Sequence, residues 1–219
     1  MALHREKESI VEYGRKLIAS GLTTGTGGNL SIRGPDQAKL LITPSAVAYD
    51  AISPTDVVVM DMDGGIIEGR RKPSSEWSFH VALYQRRPDV HAVVHTHSVY
   101  ATTLACLHWE IPAVHYLVGF AGRKVPLAPY ATYGTEELAR NVAEAIGPSN
   151  AVLLANHGLV SVGPDLAAAF NTAEEIEFVA RMYYLARAAG KPQLLSDDEM
   201  DRVIEKFKDY GPSTGTLDD

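Results

Sequence analysis

The stretch Ala151-Val152-Leu153-Leu154-Ala155-Asn156-His157-Gly158-Leu159-Val160-Ser161-Val162 decides the fold. Two short apolar runs flank an Asn-His-Gly segment, which predicts two buried strands that reverse through a turn. The pattern recurs along the chain. Leu30 and Ile32 alternate with Ser31 and Arg33, Leu40-Leu41-Ile42 ends at Thr43-Pro44, and Val57–Met60 and Ile66-Ile67 flank Asp63-Gly64-Gly65 as a hairpin. Ala92-Val93-Val94 reads as a further buried strand that runs into His95-Thr96-His97. Helical spacing marks the segments between and around these strands. Ile10, Tyr13, Gly14, Leu17 and Ile18 lie in the first. Pro73-Ser74-Ser75-Glu76 reads as a helix start with Ser as N-cap, continued by Trp77, His80, Val81 and Tyr84. Others span about 98–107, 135–146, 165–189 and 197–207. Hairpin-joined strands with helices interspersed predict an α/β fold: helices on both faces of a central, mostly antiparallel sheet.

A length of 219 residues predicts a single domain, with a polar, mobile tail from about residue 208. The net charge of −7 and the lack of a Lys/Arg-rich run argue against nucleic-acid and anionic-lipid partners. The lone Cys106 cannot form an intramolecular disulfide, and the amphipathic N-terminus reads as neither signal peptide nor membrane span. Together these predict a cytoplasmic protein.

The chemistry concentrates in a few residues. His95 and His97, two apart in a strand, project to the same side and can grip one ion. His157, at a turn between apolar strands, can join them, because Gly158 permits close backbone approach. Glu76 adds a carboxylate, as ligand or as base. Three His with a displaceable Glu match a catalytic metal site with an open position. The Gly-rich loop Thr26-Gly27-Gly28-Asn29 and the pair Ser74-Ser75 supply backbone N–H groups and hydroxyls for an anion.

The stretches Gly25-Thr26-Gly27-Gly28-Asn29-Leu30-Ser31, Lys72-Pro73-Ser74-Ser75-Glu76-Trp77, Val94-His95-Thr96-His97, Ala128-Pro129-Tyr130-Ala131-Thr132-Tyr133-Gly134-Thr135 and His157-Gly158-Leu159 occur in an order that resembles the class II aldolase/adducin family over nearly the whole chain. The resemblance implies a three-layer α/β/α sandwich on a mostly antiparallel sheet. It also implies a zinc-dependent aldolase (with Mn2+ or Co2+ as alternative ions) that cleaves a ketose 1-phosphate to dihydroxyacetone phosphate and an aldehyde. L-fuculose 1-phosphate is the expected substrate, and 5-deoxyribulose or 5-methylthioribulose 1-phosphate is the alternative. A pentulose-phosphate 4-epimerase and a metal-free adducin-like scaffold are the further readings. The absence of an Asp in His115–Phe120 disfavours the former, and the intact Glu and His set disfavours the latter.

Carried over residue by residue, His95, His97 and His157 are the implied zinc ligands, and Glu76 the fourth ligand and proton-transfer base. Thr26, Gly28, Asn29, Ser45, Ser74 and Ser75 form the implied phosphate site. Tyr116 is expected to reach the aldehyde end across a subunit boundary of a homotetramer, and Tyr210 to close the site from the tail. Two residues depart from the pattern. Ala46 stands where the family has Gly after Thr-Pro-Ser, and Tyr133 where the nearest pattern has Phe.

Overall fold

The structure is a computed structural model and describes residues 3–208. Its centre is an eight-stranded sheet. The strands are β1 (Asn29–Arg33), β2 (Lys39–Ile42), β3 (Val58–Asp61), β4 (Ile66–Glu68), β5 (Ala92–Thr96), β6 (Leu127–Ala128), β7 (Ala151–Leu154) and β8 (Gly158–Gly163). Their order is β4-β3-β2-β1-β5-β8-β7-β6. Every pairing is antiparallel except β6 with β7.

Strand alternation sorts the apolar side chains into two layers. Leu30, Leu41, Val59, Val94, Leu153 and Leu159 face one core; Leu40, Ile42, Met60, Val93, Leu154 and Val160 face the other. The first core is closed by α1 (His4–Ala19), α3 (Val99–Cys106), α5 (Leu166–Ala189) and, through Met200, α6 (Asp197–Phe207). The second is closed by α2 (Trp77–Arg86) and α4 (Glu136–Ile146), through Phe79, Leu83, Leu138, Val142 and Ile146. The expected three-layer α/β/α sandwich on a mostly antiparallel sheet is therefore the observed architecture.

Among the described residues, three of the six α-helices begin at a side-chain cap. Thr135, Asp165 and Ser196 accept hydrogen bonds from the backbone N–H groups of Leu138, Ala168 and Glu199. Helix α2 differs from the expectation of a Ser cap. Its N-cap is Glu76, with no capping hydrogen bond from the side chain, which turns inward instead. The Ser74 hydroxyl accepts from the Glu76 N–H at 3.3 Å, so Ser74 braces the turn that precedes the helix. Segment Val114–Gly122, which has no clear periodicity, contains a 3-10 helix at Tyr116–Phe120.

Three loops are stitched together at one end of the sheet. The Thr43 N–H donates to the Leu30 carbonyl, and the Thr43 hydroxyl accepts from the Leu30 N–H. The Ser74 N–H donates to the Thr43 carbonyl, and the Ser45 N–H to that of Lys72. Loops 23–29, 43–46 and 72–76 thus lie side by side. Ala46 has φ of +56°, a left-handed conformation that disfavours a Cβ. Ala46→Gly is expected to raise stability by about 1 kcal/mol, less what the added chain freedom of the unfolded state offsets. The denaturant midpoint at constant m-value measures it; a lower midpoint contradicts the strain.

Candidate active site

His95 lies at the end of β5, and its strand neighbour Val94 faces the opposite layer, so the imidazole points toward α2 and packs edge-on against Phe79. His97 follows just past the strand. His157 sits in the three-residue connection between β7 and β8, where Asn156 takes φ of +54°, a conformation Asn tolerates. Gly158 lets that connection approach β5. A Cβ there would collide with the Thr96 carbonyl oxygen and come within 3.1–3.2 Å of the His97 and His95 rings. Gly28 plays the same part on the other side. Its φ is +71°, and a Cβ would stand 2.5 Å from the His95 carbonyl oxygen.

These approaches bring Glu76, His95, His97 and His157 together, each offering one ligand atom, all within 4.8 Å of one another. The Nε2 atoms of His95 and His97 are 3.0 Å apart. Glu76 places Oε2 3.3 Å from Nε2 of His95 and Oε1 3.2 Å from Nε2 of His157. Nδ1 of His95 lies 3.0 Å from the Leu159 carbonyl oxygen, which can only accept, so Nδ1 donates there and Nε2 is the nitrogen turned to the cluster.

The group fits a divalent ion. Nitrogen lone pairs and carboxylate oxygens this close repel unless a proton or a metal ion lies among them. Burial, reinforced by the neighbouring His95, pushes His97 and His157 down to about 4, so at neutral pH neither carries an extra proton. Burial acts to raise the Glu76 carboxyl. His95, His157 and the Asn29 hydrogen bond outweigh it and hold Glu76 at about 2. Oε1 of Glu76 is buried with no hydrogen-bond partner. An ionised carboxylate with one oxygen outside any hydrogen bond, facing imidazole nitrogens, is a ligand set for zinc or a similar ion.

The same shifts set the pH response of the metal-free protein. Unfolded, His97 and His157 gain protons near 6.5; folded, only near 4. Between those values the unfolded state binds more protons, so stability falls as pH drops from 6.5 toward 4. Glu76, depressed from 4.5 to about 2, adds a loss in the same direction below about 4.5. A thermal midpoint of metal-free protein that declines between pH 7 and 4 is the expected result; a flat one contradicts it.

Of the residues expected at the phosphate, Asn29 and Ser74 contact Glu76 and Gly28 packs against the His95 backbone. Thr26, Ser45 and Ser75 are exposed in the three stitched loops, and Ser74 is buried beneath them. Asn29 is buried, with its amide engaged by Glu76 and His80. Thr23 is a residue the sequence reading missed: its hydroxyl is buried beside Gly27 without a hydrogen-bond partner. Tyr116 is half exposed and neighbours the rings of His115 and Phe207, not the histidine cluster. Tyr133 is exposed. Tyr210 lies outside the described residues.

A family model described as the class II aldolase and adducin N-terminal domain matches residues 8–184. The chain belongs to this family. With Glu76 and the three histidines in place, it stands on the aldolase side, as a metal-dependent carbon–carbon lyase. This class II aldolase is 51% identical to a 5-deoxy-D-ribulose 1-phosphate aldolase of Bacillus thuringiensis serovar kurstaki, over 96% of this chain and 99% of the relative. It is 41% identical to an L-fuculose phosphate aldolase of Escherichia coli K12, over 96% and 98%. A solved structure of an L-fuculose 1-phosphate aldolase superimposes with a TM-score of 0.90 at 48% identity, covering 92% of this chain and 95% of that one. Among the described residues, no helix of the aldolase is long and apolar enough to cross a membrane.

Proposed function

We propose that the chain cleaves a terminally deoxygenated ketose 1-phosphate between C3 and C4, giving dihydroxyacetone phosphate and a short aldehyde. The observation that carries this reading is the Glu76, His95, His97 and His157 cluster, which loops 23–29 and 72–76 meet through Asn29 and Glu76 and to which loop 43–46 is tied through those two. Zinc is the proposed ion, held by the three imidazoles and Glu76, with Mn2+ or Co2+ as alternatives. The chemistry supplied by such an ion is polarisation of the C2 carbonyl and stabilisation of the charge that develops as C3–C4 breaks.

The chain's own residues do the rest. Backbone and hydroxyl donors at Thr26, Gly28, Asn29, Ser45, Ser74 and Ser75 hold the phosphate and fix C1. Cleavage releases the O4 proton, turns C4 into the aldehyde carbon and leaves the bonding pair on the C2–C3 fragment. Glu76, ionised at the start, takes up a proton as O4 gives one up and returns it to C3, and Oε1, which has no hydrogen-bond partner, is the oxygen we assign to that transfer. Tyr116 of a neighbouring subunit in a homotetramer, and Tyr210, would meet the aldehyde end.

L-fuculose 1-phosphate and 5-deoxyribulose 1-phosphate share the phosphate end and a terminal methyl group; they differ in the length and polarity of the aldehyde. The 51% identity to the 5-deoxy-D-ribulose 1-phosphate aldolase supports that sugar at least as well as L-fuculose 1-phosphate, and we put it first. Cleavage rates on these two, 5-methylthioribulose 1-phosphate and L-rhamnulose 1-phosphate test the reading. A chelator is expected to abolish turnover and added zinc to restore it. Turnover that persists in fully demetallated protein, or cleavage of none of the four sugars, contradicts the proposal.

A further inference from the structure

Behind Glu76 runs a line of polar side chains through an otherwise apolar core. Glu76, His80 and Tyr84 stand four residues apart along α2 and share one face. Asn29 and Ser31 stand two apart on β1 and share the face turned toward them. Ser31 and His80 are fully buried, and Asn29, Glu76 and Tyr84 nearly so, among Phe79, Leu83 and Val93.

The direction of every hydrogen bond in the line is fixed by its neighbour. Ionised Glu76 can only accept, so Nδ2 of Asn29 donates to Oε2 at 3.0 Å. That turns Oδ1 of Asn29 toward Nε2 of His80 at 2.5 Å, and an amide oxygen can only accept, so Nε2 carries the proton. Nδ1 of the neutral ring then accepts from the Ser31 hydroxyl at 2.7 Å. The Ser31 oxygen accepts in turn from the Tyr84 hydroxyl at 2.7 Å. All donors point toward the carboxylate, and none of these four supporting side chains has a buried polar atom without a partner. The two oxygens of Glu76 are therefore unlike: Oε2 is tied, and Oε1 has no hydrogen bond.

We infer that His80 is a positioning residue for Glu76. Its Nε2–H, donated to Oδ1 of Asn29, fixes the amide so that Oε2 is anchored by a hydrogen bond while Oε1 is left without one, and Ser31, backed by Tyr84, holds the ring in place from the other side. Replacing a buried polar network by well-packed apolar side chains is often neutral or stabilising, so stability alone does not account for this one. Without the Ser31 donor, Nδ1 of His80 loses its hydrogen-bond partner and the ring is free to shift, which loosens the Nε2–H bond to Asn29 and with it the hold on Oε2. The inference rests on the reading of Glu76 as the proton carrier.

The test compares wild type, Ser31→Ala, His80→Phe, His80→Gln and Glu76→Gln, each loaded with zinc. It reads solvent-hydrogen exchange at C3 of dihydroxyacetone phosphate, cleavage kcat and KM, metal content and thermal midpoint. Ser31→Ala and His80→Phe are expected to keep one metal per chain and near-normal KM while exchange and kcat fall about 10–100-fold. His80→Gln, which can donate to Asn29 and accept from Ser31, is expected to recover most of the loss. In metal-free protein, imidazole 15N spectra should show His80 as the Nε2–H tautomer in wild type, with Nδ1 losing its hydrogen-bonded shift in Ser31→Ala. If Ser31→Ala lowers only the thermal midpoint and leaves exchange within twofold while Glu76→Gln abolishes it, the positioning role is overturned and the Glu76 reading stands. Normal exchange in Glu76→Gln overturns both.

Discussion

Glu76→Gln is expected to keep its metal and lose about 10²–10⁴-fold in cleavage rate, the range for removal of a positioned general base. The substitution preserves volume at a site that is only 6% exposed. The Asn29 amide still finds an oxygen acceptor at the Oε2 position, so the side chain keeps its orientation. What changes is the other end. An amide NH2 replaces Oε1 beside Nε2 of His157, and it can neither bind a metal ion nor take a proton. The three imidazoles of the proposed site remain, so metal affinity is expected to fall less than activity does. Metal content by elemental analysis, set beside hydrogen exchange at C3 of dihydroxyacetone phosphate, separates the two roles. Exchange at the wild-type rate would remove Glu76 from proton transfer and leave it a ligand only.

The sequence displayed some of this site and hid the rest, for reasons that lie in the residues. His95 and His97 were legible because strand alternation fixes their common side, and His157 because Gly158 follows it at a turn between apolar runs. The sandwich was legible because Leu40-Leu41-Ile42 and Ala151–Leu154 are apolar on both faces, as strands covered by helices twice over must be. Strand order was not, since β1 pairs with β5 across more than fifty residues. Nor was β6, a parallel pairing of two residues hemmed by Pro126 and Pro129. Ser31, His80 and Tyr84 passed as an ordinary strand and helix face. The available signal was a polar residue at each fourth position after Glu76, matched by Asn29 and Ser31 two apart, and only the pairing of β1 with α2 gives it meaning. The Ala46 departure was readable as a conformational question, and the left-handed φ answers it.

Gly158→Ala carries the second large expected effect, because it tests the close approach that assembles the site. The backbone of Gly158 is not left-handed, so alanine meets no conformational penalty there. The obstacle is space. The added methyl would collide with the Thr96 carbonyl oxygen, and neither β5 nor β8 can yield without loosening the ladder that pairs Thr96 with Leu159. Overpacking of this kind costs about 1–3 kcal/mol. The same methyl presses on Cδ2 of His97 at 3.1 Å and Cε1 of His95 at 3.2 Å, so two proposed ligands move with the backbone. Metal affinity is therefore expected to drop about 10–100-fold, with kcat/KM falling alongside and partly restored at high zinc. Gly190→Ala is the matched control, since a methyl there meets nothing within 4 Å. Competitive metal titration of the two variants reads the difference. Equal affinities would mean that the histidines hold their places without the tight junction of β5 and β8, and that His157 is placed by the turn alone.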